Sequence, residues 1–489
     1  MSDEIKNVLN KYPDFEANIG MEIHVQLKTK SKIFCSCPNQ FGQKPNENIC
    51  PICSGYPGVL PLLNKRVVDF AIMAGIATNC EITPVSRFSR KHYMYPDLPK
   101  NFQITQNEPP ICKNGHIIIE SENEKEKRIR LIRIHIEEDA GKNIHSTSED
   151  KSYIDLNRAG TPLLEIVSHP DISNSYEAKL YLTRLKSIVE YLGISDANME
   201  KGSFRGDVNI SVKRKDEEKL GTKVELKNIN SFKFIAQAIE YEIERQIKII
   251  KEGGKINQET RSWDTKEHKS FIMRSKEEAA DYRYLREPDL PLIIVDKKWI
   301  EKIKNEIPEL PNKKIKRFKD EYNLSNYEAE ILTGNIKLAN YFEEVVKNCK
   351  LPKKASNWIL RNLLGYLKEN KIDLDQLKIS AKNFADLILV IENKIINTKV
   401  AQEIFLIMAQ TGKNPKEIIK EQGLEQLNDE EKLEKVVLEI INNNPEQVEK
   451  YLEGKNKLFG FFVGLAMKQT KGKANPKIIN ELLKKHLTK

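Results

Sequence analysis

The stretch Asn18 to Leu27, N-I-G-M-E-I-H-V-Q-L, alternates apolar and polar side chains without a break. Ile19, Met21, Ile23, Val25 and Leu27 take one parity; Glu22, His24 and Gln26 take the other. Successive side chains of an extended chain point to opposite faces, so the pattern predicts a half-buried strand. Glu22 and His24 then share its polar face, roughly 6.5–7 Å apart along the backbone. A carboxylate and an imidazole so placed can hold a metal or exchange protons. The solvated face of an antiparallel sheet reads the same way.

The pattern recurs downstream. A strand from Arg128 to Glu138 ends in I-H-I-E-E-D-A-G-K, putting His135 and Glu137 on one face, with Glu138, Asp139 and Lys142 at the following turn. The block Tyr153 to Ser168 places Asp155 and Asn157 together, turns through Gly160 and Pro162, and continues as a strand carrying Glu165. D-V-N-I-S-V aligns Asp207, Asn209 and Ser211, and K-V-E-L-K-N aligns Lys223, Glu225 and Lys227. Such strands in one sheet would line a cleft with carboxylates, amides and ammonium groups, the composition of a site for a divalent cation and a phosphate substrate. Carboxylates gathered without a cation repel one another and shift their own pKa values.

Other segments frame these strands. Residues 60 to 80 read as a helix behind the first strand, through Val67, Val68, Phe70, Ala71, Met73 and Ala74. Arg90 to Gln106 reads as a stiff loop in which Arg90, Lys91 and His92 adjoin Tyr93 and Tyr95. Cations interleaved with rings suit a nucleotide or a nucleic-acid end, although a rigid surface loop has the same composition. A helix capped by Asn230 or Ser231 runs to about Lys251 and ends at Gly253-Gly254. Thr260 to Pro291, rich in Arg, Tyr and acidic residues, reads as a salt-bridged surface hairpin.

Four of the seven cysteines form Cys35-x-Cys37 and Cys50-x-x-Cys53. Two close pairs without a secretion signal point to tetrahedral thiolate binding of zinc, with an iron–sulfur cluster or free thiols as alternatives. Pro38, Asn39, Gly42, Pro45 and Asn46 between them supply the turns of a metal knuckle. Cys80, Cys112 and Cys349 lack such spacing and read as core residues.

At 489 residues the chain exceeds one core, and two or three domains are expected. A joint is expected near Pro288 to Pro311. Beyond it the periodicity is helical, with breaks near Thr411-Gly412 and Asn442 to Asn444 and a lysine-loaded end that could meet an RNA backbone or be a solvated face. The net charge of +9 also follows from a lysine-rich composition. No apolar run approaches the roughly 20 residues that cross a bilayer, and the charged N-terminus lacks an apolar signal core. The expected compartment is the one of synthesis, the cytoplasm or an organelle matrix or stroma. Walker, kinase and nucleophile-elbow motifs are absent from the sequence, so phosphoryl chemistry would run on another scaffold and ammonia would come from elsewhere.

Assembled, these blocks closely resemble the B subunit of the aspartyl/glutamyl-tRNA(Asn/Gln) amidotransferases over nearly the whole length. The resemblance rests on G-M-E-I-H-V-Q-L, the two cysteine pairs, K-H-Y-M-Y-P-D-L-P-K, I-E-E-D-A-G-K, D-L-N-R-A-G-T-P-L-L-E-I-V, V-E-L-K-N-I-N-S-F, M-R-S-K-E-E-A-A-D-Y-R-Y and F-G-F-F-V-G-L-A-M-K-Q-T-K-G-K-A-N-P. It departs in an N-terminal extension of about a dozen residues, in Leu285-Arg286 where Phe-Pro is usual, and in Leu465 where Gln is usual.

The resemblance implies an α+β chain: a mostly antiparallel-sheet cradle with helices at 1–295, an all-α domain at 296–410 and a small helical tail at 411–489 that contacts tRNA. It implies that Mg-ATP phosphorylates the side-chain carboxylate of mischarged Glu-tRNA(Gln) or Asp-tRNA(Asn). Ammonia channelled from an amidase (glutaminase) partner then displaces phosphate, with one further small chain stabilising the complex. By resemblance Glu22, His24, Glu137 and Glu165 hold the cation. Imidazole is an uncommon Mg²⁺ ligand, so His24 would orient a ligand water or favour Mn²⁺. Lys91 and Tyr93 would reach ATP phosphate or the aminoacyl end, and Asp207, Asn209, Glu225 and Lys227 would complete the wall. Cys35, Cys37, Cys50 and Cys53 would hold structural Zn²⁺. A zinc-stabilised tRNA-binding scaffold and a free-standing metabolite kinase are the rival readings.

Overall fold

The strand expected at the start of the chain runs from Phe15 to Gln26 and lies inside a 12-stranded sheet. The computed structural model describes residues 7–120, 126–146, 150–275, 281–424, 430–470 and 474–487. Residues 276–280 of the Arg- and Tyr-rich motif and 471–473 of the basic tail motif fall outside those segments.

Pro162–Ser168 and Phe204–Arg214 flank the first strand, both antiparallel. Beyond the former come Glu126–Glu138, Phe102–Thr105, Ser89–His92 and Leu285–Arg286. Beyond the latter come Val224–Lys227, Glu259–Asp264 and Lys269–Ser275. Pairing is antiparallel except between Val224–Lys227 and Glu259–Asp264. A parallel neighbour needs a long crossover, which here contains the helix Phe232–Lys251.

One face of the sheet is buried beneath helices. Ile19, Ile23 and Val25 are fully buried in the same apolar cluster as Val67 and Ala71 of the helix Lys65–Ala77, Leu182 and Leu185 of Ser175–Tyr191, and Ile235 and Ile239 of Phe232–Lys251. Each helix starts where a side-chain oxygen accepts an otherwise unpaired backbone N–H: Asn64 from Arg66, Asn174 from Glu177 and Ser231 from Phe234. Gly206, paired with Ile23, lets the layers close: a Cβ there would sit 2.9 Å from Ile23 Cδ1. Alternation therefore turns the polar side chains of the same strands to the opposite face.

Two segments differ from their sequence reading. Arg90 to Gln106 is not one loop. Ser89–His92 and Phe102–Thr105 are paired strands, with Lys91 opposite Gln103. Their short length, broken by prolines, hides the alternation. The Thr260 hairpin is not a surface appendage either. It extends the main sheet, and Arg261, 8% exposed, pairs with Glu259 at 2.6 Å and bonds Ser270. The strand Cys112–Glu120, paired with Glu126–Glu138, carries no polar parity strong enough to mark it in the sequence. Cys112 and Cys349 are buried and Cys80 is half-buried.

The chain divides into two compact units, Met1–Pro311 and Asn312–Lys489. The second is helical among its described residues and holds two apolar clusters, one around Phe318, Phe342, Phe384 and Phe405, the other around Leu433, Phe462 and Leu483. No helix of the described residues is long and apolar enough to cross a membrane.

Candidate active site

Cross-strand register assembles the polar face. His24 lies opposite Glu165 on one neighbour and Arg205 on the other; Glu165 lies opposite His135, and Glu22 opposite Asp207. Facing pairs bring Cβ atoms to about 5 Å, so the functional groups meet. His24 Nε2 is 3.4 Å from Glu165 Oε2, 3.6 Å from Glu137 Oε1 and 4.0 Å from Glu22 Oε1. His135 Nε2 stands 3.5 Å from Glu165 and 3.7 Å from Glu137. Thr105 donates to Glu137 Oε2 at 3.2 Å, and Arg133 Nη2 reaches Glu165 Oε1 at 3.4 Å.

Burial and charge act against each other here. Burial disfavours the His24 imidazolium, but its hydrogen bond to Glu165 and the Glu137 charge outweigh that and lift it to about 9. Burial would raise Glu165, yet His135, His24 and Arg133 hold it well below the usual carboxylate range. Glu22 is pushed up by burial and by Glu165. His24, Glu137 and Glu165 each offer an atom within 4.8 Å of the others; so do Glu22, His24 and Asp207. Octahedral ligands on 2.1 Å bonds lie roughly 3 Å apart, so small side-chain adjustments suffice to seat a divalent cation. Ligation needs neutral imidazole, so the proton on His24 competes with it.

Cations flank this cluster. Lys227 Nζ is 2.6 Å from Asp207 and 3.2 Å from Glu225, whose other oxygen accepts from Thr260 at 2.9 Å. Lys91 Nζ lies 4.7 Å from the Tyr282 ring centre and 6.0 Å from that of Tyr93. Two cavities meet here. A large one, about 890 Å³, is lined by His24, Tyr93 and Asp207 among others. A smaller one, about 440 Å³, is lined by Glu22, Glu165 and Glu225. Lys91, Glu137 and Lys227 line both. Asn209 shares the face, opposite Glu225, but lines neither of these two.

The four cysteines also converge. Cys53 Sγ is 4.0 Å from Cys37 Sγ and 3.9 Å from Cys50 Sγ, and all four sulfurs lie within 4.8 Å of one another. Tetrahedral ligands on 2.3 Å Zn–S bonds have edges of roughly 3.8 Å. The donor set fits a zinc-sized ion. Cys53 is drawn down to about 4 by hydrogen bonding from Cys35, against burial, with the Cys50 N–H and Lys32 assisting. Lys32, fully buried, places Nζ 3.5 Å from that sulfur.

Residues 17–301 match the family model described as the GatB/GatE catalytic domain, and residues 340–487 match the GatB domain. The chain is 51% identical to the B subunit of the aspartyl/glutamyl-tRNA(Asn/Gln) amidotransferase of Persephonella marina, across 97% of this chain and all of that protein. It is 50% identical to the protein of the same name in Caldicellulosiruptor saccharolyticus, again over 97% and 100%, and 50% identical to that of Thermodesulfovibrio yellowstonii, over 97% and 99%. The chain belongs to the family of aspartyl/glutamyl-tRNA(Asn/Gln) amidotransferase B subunits.

In this member of the amidotransferase family, several residues of the site escape a reading strand by strand. The main ones are Arg133 and Arg205, and with them the pairing of Gln26 with Asp139, two residues that the alternation and the turn already mark. Asp139 accepts from Arg205 Nη2 at 2.8 Å and Gln26 Nε2 at 2.9 Å, with Arg158 Nε 3.7 Å away. Parity could have found Arg133 and Arg205, which share faces with His135 and Asp207. Asp155 and Asn157 line the large cavity and also brace the cysteine loop, accepting from the backbone N–H groups of Asn46 and Asn48.

Asp139 gives a pH test. Burial raises its carboxyl, but Arg205 and Arg158 prevail and hold it below the ordinary aspartate value. A depressed carboxyl contributes stability above its unfolded value, and that contribution is lost as pH falls through the folded one. Asp139→Asn should cost about 1–3 kcal/mol at neutral pH. The gap to wild type should narrow as pH drops below about 3.9, as read by denaturant melts at stepped pH.

Proposed function

We propose that this chain converts mischarged Glu-tRNA(Gln), Asp-tRNA(Asn) or both into the amidated forms at the expense of ATP, within a complex whose glutaminase component supplies ammonia. The observation that carries this reading is the meeting of Glu22, His24, Glu137 and Glu165 at the junction of two cavities, in a chain of this family. A carboxylate oxygen leaves poorly, and transfer of the γ-phosphoryl of ATP to it gives an acyl phosphate. Ammonia attacks that carbonyl carbon, and inorganic phosphate departs with the C–O bond electrons.

Glu22, His24, Glu137 and Glu165 would hold Mg²⁺ or Mn²⁺, which when bound neutralises phosphate charge that would repel the incoming carboxylate. Lys91 and Tyr93 would orient phosphate or the aminoacyl end, since both line the large cavity. Lys227, fixed between Asp207 and Glu225, supplies a further cation, and Asn209 would stiffen the wall beside them. Cys35, Cys37, Cys50 and Cys53 would hold structural zinc. Residues 1–295 would form the catalytic cradle and 296–410 a helical domain; the lysine-rich 411–489 would grip tRNA. The protein partners would be an amidase that liberates ammonia from glutamine and one small stabilising chain.

The test uses the assembled complex, γ-labelled ATP and Glu-tRNA. Glu22→Ala should cut phosphoryl transfer and amidation by about 10²-fold or more. A variant that forms acyl phosphate at the wild-type rate overturns the assignment.

A further inference from the structure

Away from the acidic and imidazole cluster, the large cavity carries an aromatic ring that folding leaves in water. Phe41 lies between the two cysteine pairs, and 75% of its surface is exposed. It lines the cavity wall beside Gln40, Gly42 and Gln43. Among the described residues no ring or cation packs on its face.

The segment is braced, so the exposure is not slack. On one side Asn39 Nδ2 donates to the carbonyls of Leu27 at 2.8 Å and Thr29 at 3.3 Å. On the other, Asn46 Nδ2 donates to the Ile154 carbonyl at 2.9 Å, and Asn48 N–H to Asn157 Oδ1 at 2.8 Å. The thiol cluster joins the two ends of the loop. Gly42 turns the chain next to the ring at φ +85°, a conformation L residues resist. Lys142, Arg158 and Lys201 line the same cavity. A flat apolar face on the wall of a cavity that also carries cations is the arrangement that receives a nucleobase while its phosphates are paired.

We infer that Phe41 is a stacking platform for an adenine ring bound in the large cavity. The inference rests on the proposed function, which supplies two sources of that ring: ATP and the 3′-terminal adenosine of the tRNA. Stacking on one ring is worth roughly 5- to 150-fold in affinity.

Direct titration of ATP, and separately of Glu-tRNA, onto the assembled complex tests this without requiring turnover. Phe41→Ala should weaken one ligand by roughly tenfold or more, and Phe41→Trp should restore it, with metal content and assembly as in wild type. Weakened ATP assigns the ring to the nucleotide; weakened Glu-tRNA assigns it to the tRNA end. Unchanged affinity for both, or loss only of complex assembly, overturns the inference. If the wild-type complex binds both ligands yet transfers no phosphoryl group, the proposed function fails while the titrations still judge Phe41.

Discussion

Glu165→Gln is expected to cut amidation and divalent-ion affinity by at least about a hundredfold, since even the loss of an outer hydrogen-bond partner of a metal ligand costs 10–100-fold. Glu165 stands between two imidazoles, 3.4 Å from His24 and 3.5 Å from His135, with Arg133 at 3.4 Å. Glutamine keeps the shape and removes the charge. His24 then loses its nearest anion, and its raised pKa should fall back toward the ordinary histidine value. Mn²⁺ binding followed by electron paramagnetic resonance reads the ion, and labelled ATP reads the chemistry. Wild-type ion affinity in the variant would remove Glu165 from the ligand set.

The second large effect concerns the thiols. Cys53 touches Cys37, Cys50 and Lys32 and lies 4% exposed. Cys53→Ser should yield protein without stoichiometric metal. It should cost on the order of 5 kcal/mol, lowering the melting temperature of the sheet-bearing unit by roughly 5–10 °C. Metal analysis with calorimetry measures both. Because the knuckle carries Phe41 and docks on Asp155 and Asn157, metal loss should also weaken ligand binding in the large cavity. A metal-free variant with unchanged melting would reduce the cluster to four inert thiols.

How far the sequence discloses this arrangement depends on the range of the interactions. Strand and face are local properties, so alternation places Glu22, His24, Glu137 and Glu165 correctly on polar faces. Cysteine spacing marks the knuckle for the same reason. Register is not local: nothing within Asn18 to Leu27 says that His24 will face Glu165 and Arg205. Gln26 and Asp139, distant in sequence, become partners only through that register. Arg90 to Gln106 escapes because its strands are four residues each, too short for a period to emerge. Arg261 is misjudged because composition cannot tell a solvated ion pair from a buried one.

The inner position of Phe15–Gln26 also constrains how the chain can fold while it is being made. This segment leaves the ribosome well before its partners at 162–168 and 204–214. Until 162–168 has emerged both edges of the strand stay unpaired, and one edge stays open until 204–214 follows. Such long-range pairing is slow and prone to aggregation. A nascent chain arrested before Phe204 should therefore bind holdase chaperones, and release past Arg214 should end that dependence.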